Sequence, residues 1–277
     1  MSFSSSDLPP LPDHPRLDLK LAIQDGWRAF QWAPWTLIGF AWLVMVLHLL
    51  TNGLSNLLGL LLGNLKPLGP TLDDPSSVVL ALVGVVVALV GAALSYAVSL
   101  WGTIGLIRGA WWAVEGTPIR FADLCRWDGQ AIRRLIPPGL LLGGLSLAVG
   151  LLLLLAMQGL MRLNTALGLL PLLAGLGMAI YFMVNQRFLA PLALLQGPGA
   201  KATLQLGRER VDPIWGQVFA LIAVEGGLIL LGLLACLVGL FVAVPLATCI
   251  AIAAYRQLFG AVDRTGFTAY LPANLQP

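Results

Sequence analysis

The sequence predicts an all-α fold: a polytopic membrane helix bundle with six transmembrane helices and three cytoplasmic interfacial amphipathic helices. Three observations carry that expectation. Of 277 residues, 58% are hydrophobic and only 10% are charged, against roughly 25% charged in an ordinary soluble domain. Such a chain cannot clothe itself for water, so lipid must cover the rest. Several uncharged runs reach the roughly 20 residues needed to cross a hydrocarbon core. The lysines and arginines are gathered in short segments between those runs, a placement that orients helices in a membrane.

The elements follow in order. Residues 1–16 are rich in serine and proline and predict a disordered cytoplasmic tail. A single membrane domain is expected over 17–265. It opens with a short amphipathic helix at 17–33, in which Leu19, Ile23, Trp27 and Phe30 share one face and which suits the membrane interface. The first span is placed at 34–54. Its apolar stretch runs on to Leu62, predicting either a long tilted helix or a break near Gly53. A polar turn over 64–76 leads to the second span at 77–107. A charged segment then precedes the third span at 137–160, whose opening Pro137-Pro138 suits a first helical turn. A short link with Arg162 and Asn164 leads to the fourth span at 166–184, with an apolar continuation to Leu195. The run from Ile214 to Phe259 is roughly 70 Å of helix, enough for two crossings at 214–236 and 240–259. Residues 266–277 are assigned to a cytoplasmic tail.

Every lysine and arginine except Lys66 and Arg162 falls on one side of these spans, which makes that side, with both termini, cytoplasmic. Trp27, Trp32, Trp35, Trp111, Trp112, Trp127 and Trp215 fall near the same boundary, as interfacial anchors do. Segments 119–135 and 200–213 also draw as amphipathic helices, through Phe121, Leu124, Cys125, Ile132 and Leu135 in one and Leu204, Val211 and Trp215 in the other. The chain thus reads as three parallel repeats, each an interfacial helix followed by a two-span hairpin. The start of the chain lacks the short basic region of a cleaved signal peptide, so the first span is expected to be retained. Cys125, Cys236 and Cys249 form no paired motif and read as free thiols.

Two stretches, Arg108-Gly109-Ala110 through Gly116-Thr117-Pro118 to Phe121-Ala122-Asp123-Leu124, and Phe188-Leu189-Ala190-Pro191-Leu192 with Ala200 to Trp215, carry a family likeness. With six spans, they resemble a broad family of six-helix bacterial inner-membrane proteins, largely uncharacterised, which includes the membrane domain fused to some glycerophosphodiester phosphodiesterases. The resemblance implies a six-helix domain of the bacterial cytoplasmic membrane and supplies no catalytic residues. No polar segment here is long enough to hold the fused phosphodiesterase.

Ionisable groups inside spans cost free energy unless paired or wetted, which makes them the candidate sites. Glu225, near the middle of the fifth span, reads either as a titrating carboxylate in a transport path or as a glutamate bonded to a neighbouring helix. His48, Asn52 and Asn56 recur at helical spacing, flanked by Thr51 and Ser55, and read as a hydrated pocket or as interhelical hydrogen bonding. Asn185 and Arg187, at the end of the fourth span, suit a lipid phosphate, an anionic solute or a salt bridge. Glycine pairs Gly105/Gly109 and Gly139/Gly143 suggest close helix packing.

No phosphate loop, dinucleotide fingerprint, nucleophile elbow or zinc-protease motif occurs. No cofactor, metal site or nucleic-acid partner is expected. The predicted partners are membrane lipids, with anionic headgroups at the cytoplasmic face, and a membrane protein. The sequence therefore favours a non-enzymatic membrane protein acting through protein or lipid interaction as a scaffold, assembly or accessory factor. The alternative is a transporter or permease for a small or lipid-like solute.

Overall fold

The computed structural model describes residues 16–64, 75–235 and 238–269, and all regular structure among them is helical. The expected tails at 1–15 and 270–277, the loop at 65–74 and Cys236 lie outside the described residues. Helix α1 spans Leu19–Trp32, α2 Pro34–Asn64 and α3 Pro75–Glu115. A short α4, Phe121–Cys125, precedes α5, Gly129–Leu163, and α6, Leu169–Asn185. After a break, the one-turn α7, Leu189–Pro191, runs into a π-helical turn, Leu192–Gln196. Helix α8, Ala200–Val211, joins α9, Trp215–Leu234, through a 3₁₀ turn, and α10, Leu240–Phe259, completes the set. Five of these segments are long and apolar enough to cross a membrane, and α6 with its continuation is a sixth candidate if its 41° bend is counted as one span.

Helix boundaries refine the sequence reading. Asp18 starts α1 by accepting the backbone N–H of Leu21 at 3.0 Å, an N-cap that satisfies one orphan donor of the first turn. The buried face of α1 is Ala22, Gly26, Ala29 and Phe30, with Leu19 and Ile23 beside it. Trp27, expected on that face, is instead 47% exposed. The reason is close approach: a Cβ on Gly26 would stand 2.5 Å from the Ile250 Cα, so only small residues let α1 lie on α10. Helix α2 is continuous through Gly53. Residues 119–135 do not form one helix. Asp128 accepts from the N–H of Ala131 at 2.9 Å and begins α5 there. Pro137 and Pro138 therefore lie inside the helix, not in its first turn.

The well-packed end of the molecule gathers α1, α4, the last turns of α3, the π turn and α10. Trp111, Leu124, Phe188, Leu194, Tyr255 and Phe259 are all essentially inaccessible there. Gly105 and Gly109 do mediate close packing, since a Cβ on either would collide with Phe40 or Leu124. By contrast a Cβ on Gly143 would meet nothing within 4 Å among the described residues and one on Gly139 only the Tyr96 hydroxyl at 3.5 Å, so the second glycine pair brings no two helices into close contact. Residues 260–269 fold back as a strap. Arg264 N–H donates to the Leu195 carbonyl at 2.9 Å and Trp112 Nε1 to that of Thr268 at 2.9 Å. Phe267 is buried at 3% exposure, so the start of the expected C-terminal tail belongs to the core.

Away from this end the helices are scarcely covered by protein. None of the apolar window of α5 is buried, whereas 61% of that of α10 is. Leucines 49, 54, 60, 147, 152 and 155 are each more than half exposed. Helix α3, at about 60 Å, is about twice as long as a hydrocarbon core is thick, and its first half shares this exposure.

Candidate functional site: polar groups within the apolar helices

Glu225 lies midway along α9, and its partner is placed by a break in the chain. Pro191 has no N–H to offer the carbonyl of Arg187, and its ring crowds that turn, so helical geometry fails just upstream. The break over residues 186–188 swings Arg187 against α9. Arg187 Nε and Nη2 both reach Glu225 Oε2 at 2.7 Å. The Glu225 side chain is 5% exposed and that of Arg187 31%. Both nitrogens converge on one oxygen, and the other, Oε1, is buried without a hydrogen-bond partner.

Asn185, two residues earlier, belongs to a different cluster. Its Nδ2 donates to Asp212 Oδ1 at 2.9 Å, and Tyr181 OH donates to the same oxygen at 3.2 Å. Arg208 Nε donates to Asp212 Oδ2 at 3.1 Å. Asp212 thus ties the end of α6 to the α8–α9 junction. Sequence reasoning did not single it out. Its signal was an Asp-Pro pair where an amphipathic segment gives way to an apolar run.

His48 and Asn52 form a polar seam between α2 and α3. Ser99 Oγ stands 3.0 Å from His48 Nε2 and donates to the Ser95 carbonyl at 2.9 Å. A hydroxyl has one proton, so when it serves Ser95, His48 Nε2–H donates to Ser99. His48 Nδ1 is then left as an acceptor, and it is buried with no partner. Ser95 Oγ lies 3.3 Å from both Thr51 Oγ1 and Asn52 Oδ1, and its single proton serves one or the other. Asn56, expected on the same stripe, is exposed beyond the seam. His48 also lines a cavity of about 370 Å³ with Ser99, Thr103, Leu240 and Phe241. Glu225 is not among the residues lining it.

The six candidate residues therefore divide three ways: Glu225 with Arg187, Asn185 with Asp212, and His48 with Asn52, leaving Asn56 aside. A further buried charge escaped the sequence reading. Arg108 is inaccessible and donates to Asp128 Oδ2 at 2.8 Å and to the Asp123 carbonyl at 3.3 Å. The Phe267 ring covers it at 4.7 Å. Its signal was an arginine inside a glycine pair with apolar residues on both sides. Among the described residues no group of three or more His, Cys, Asp or Glu could hold a metal ion. Cys125 and Cys249 are free, and burial pushes the Cys125 thiol above its usual range. A scan of protein-family models, a search of curated proteins and a search of solved structures each find no match for this chain.

Proposed function

We propose that this chain is a multi-pass protein of the bacterial cytoplasmic membrane that acts through protein or lipid interaction, as a scaffold, assembly or accessory factor, and not as an enzyme. On this reading α2, α3, α5, α6 with its continuation, α9 and α10 are the six spans. Both termini are cytoplasmic, α1 and α8 lie along the cytoplasmic face, and the chain belongs to the six-helix family it resembles. The observation that carries the interaction reading is the direct pairing of Arg187 with Glu225 through Oε2. Intramembrane charges that are expensive alone become tolerable as a bonded pair. A carboxylate engaged by its own chain's guanidinium is poorly placed to carry a proton or cation through a path. Glu225 and His48, the residues a transporter would bring together, bond to different helices.

The test compares isosteric variants in proteoliposomes. With Glu225→Gln, the interaction reading expects a weakened fold and no change in passive solute or proton flux. Flux in the wild type that this substitution abolishes would refute it. The His48 cavity, with an unpartnered ring nitrogen at its wall, is the feature that favours the transporter alternative. His48→Gln is accordingly the companion variant in the same assay. Orientation is tested separately. A cysteine at Asn164, on the α5–α6 link, should react with an impermeant reagent from outside the cell, and one at Arg133 should not. The reverse pattern overturns the topology.

A further inference from the structure

The ends of α3 and α10 and the flank of α1 border an open cavity of about 630 Å³ that is lined by none of the residues discussed above as candidate sites. Its lining includes Asp25, Arg28, Trp32, Glu115 and Arg256. Arg256 and Glu115 both line it and form an ion pair. The Arg256 side chain is 24% exposed and that of Glu115 33%, and their nearest atoms, Nη1 and Oε1, are 3.9 Å apart. That is within reach of Coulomb attraction but too long for a hydrogen bond. Nη1 is buried without a hydrogen-bond partner. The guanidinium has five N–H groups, yet among the described residues it meets only this loose ion pair and the face of Trp111 at 5.0 Å. The Trp111 face contacts the guanidinium without consuming its donors.

Buried donors are ordinarily satisfied, and Arg256 Nη1 is a buried donor without a hydrogen bond among the described residues, while the Glu115 carboxylate, one-third exposed, lines the same cavity as the opposite charge. A guanidinium fork matches the oxygens of a phosphate, and Arg28, exposed and only loosely paired with Asp25 at 3.7 Å, stands at the same cavity as a second cation. A carboxylate at the same distance calls for an N–H cation. Trp32, whose Nε1 donates to the Thr117 carbonyl at 3.2 Å, offers a fixed ring face, and ring faces attract ammonium groups.

We infer that this cavity binds a phosphoethanolamine group, its phosphate on Arg256 and Arg28 and its ammonium on Glu115 and Trp32. The inference rests on the membrane reading above, because that reading puts the cavity at headgroup depth in the cytoplasmic leaflet, where phosphatidylethanolamine supplies the group. Free phosphoethanolamine offers the same chemistry from solution.

The full chain in mild detergent is titrated with dihexanoyl phosphatidylethanolamine, with dihexanoyl phosphatidylglycerol, which has the phosphate and no amine, and with soluble phosphoethanolamine. Thermal stability is the readout, since a ligand that binds only the folded state raises the midpoint. The ethanolamine lipid should bind more tightly than the glycerol lipid. Glu115→Gln should weaken the ethanolamine lipid about tenfold, the scale of one charge-assisted hydrogen bond, and leave the glycerol lipid unchanged. Arg256→Gln should weaken both. A purely structural role for either residue would not produce that split. A response to the soluble compound as strong as to the lipid assigns the group to a soluble source. Equal binding of the two lipids that Glu115→Gln does not alter, or no response to any of the three, overturns the proposal. If cysteine labelling reverses the topology while the ethanolamine lipid still binds, the membrane placement fails and the site stands.

Discussion

The α5–α6 and α9–α10 hairpins follow the same plan, each introduced by a short helix, α4 or α8, yet they live in different surroundings. Helix α10 buries most of its apolar window among α1, α2, α3 and α9, while α5 buries none of its own. Both are apolar enough to cross a membrane, and the unburied α5 is the more hydropathic of the two. The difference lies in side-chain size and in what surrounds them. Helix α10 carries Ala243, Ala247, Ala251, Ala253 and Ala254, which admit neighbours closely. Helix α5 presents Leu147, Leu151, Leu152, Leu154 and Leu155 outward. In lipid such exposure carries no penalty, because acyl tails are as apolar as leucine and association depends on packing and hydrogen bonds. The comparison separates a helix held by protein from one held by its solvent.

The largest effect that would break this contrast lies in the packed end. Arg108→Met removes the guanidinium that Asp128 and two backbone carbonyls share. It should cost about 3–5 kcal/mol, the scale for removing one partner of a buried pair, read as a lowered unfolding midpoint in detergent. A loss below that of an exposed substitution would mean that the strap and α4 are not fastened through Arg108. Next comes the intramembrane pair. Arg187→Met and Glu225→Met should each destabilise by about 1–3 kcal/mol, less than a wholly buried pair because Arg187 is partly exposed. The double variant should cost less than the sum of the two. Strict additivity in that cycle would show the two residues to be independent.

Smaller still is the seam between α2 and α3. Ser99→Ala leaves His48 Nε2 without its partner and should cost about 0.5–1.5 kcal/mol, in the range for interhelical hydrogen bonds. The smallest effect, and the one that sharpens the contrast most, is Leu152→Ala on α5, where the side chain is 66% exposed. In lipid it should change stability by less than about 0.5 kcal/mol. A cost of about 2–5 kcal/mol, as for a core leucine, would mean that another chain, not lipid, covers α5.

Some of this was legible in the amino acids and some was not. Few charges point to a chain covered by lipid, and uncharged runs of about 20 residues make its crossing elements helices. Apolar run lengths located the long helices, and α8, α9 and α10 begin within about a residue of where spacing put them. The end of α6 was located too, but not its break. The N-caps at Asp18 and Asp128 are local chemistry, yet only the second moved a boundary away from the expected one. It did so because a capping carboxylate nine residues upstream outweighed the pull of Pro137-Pro138 toward a helix start. Polar residues within apolar runs marked Glu225, His48 and Arg187 as singular, since each needs a partner in lipid.

Who the partner is was never in the sequence. Nothing in the spacing says that Arg187 meets Glu225 thirty-eight positions away, that Asn185 turns instead to Asp212, or that Asn56 stays exposed beyond the seam. Those pairings depend on the break before Pro191 and on the angle at which α6 meets α9. The same holds for Arg108 beneath Phe267 and for the charged cavity at Glu115 and Arg256, built from three helices distant along the chain. Hydrophobicity and periodicity are properties of a segment and can be read one window at a time. A hydrogen-bond partner is a property of two segments, and only the packing of the whole chain decides it.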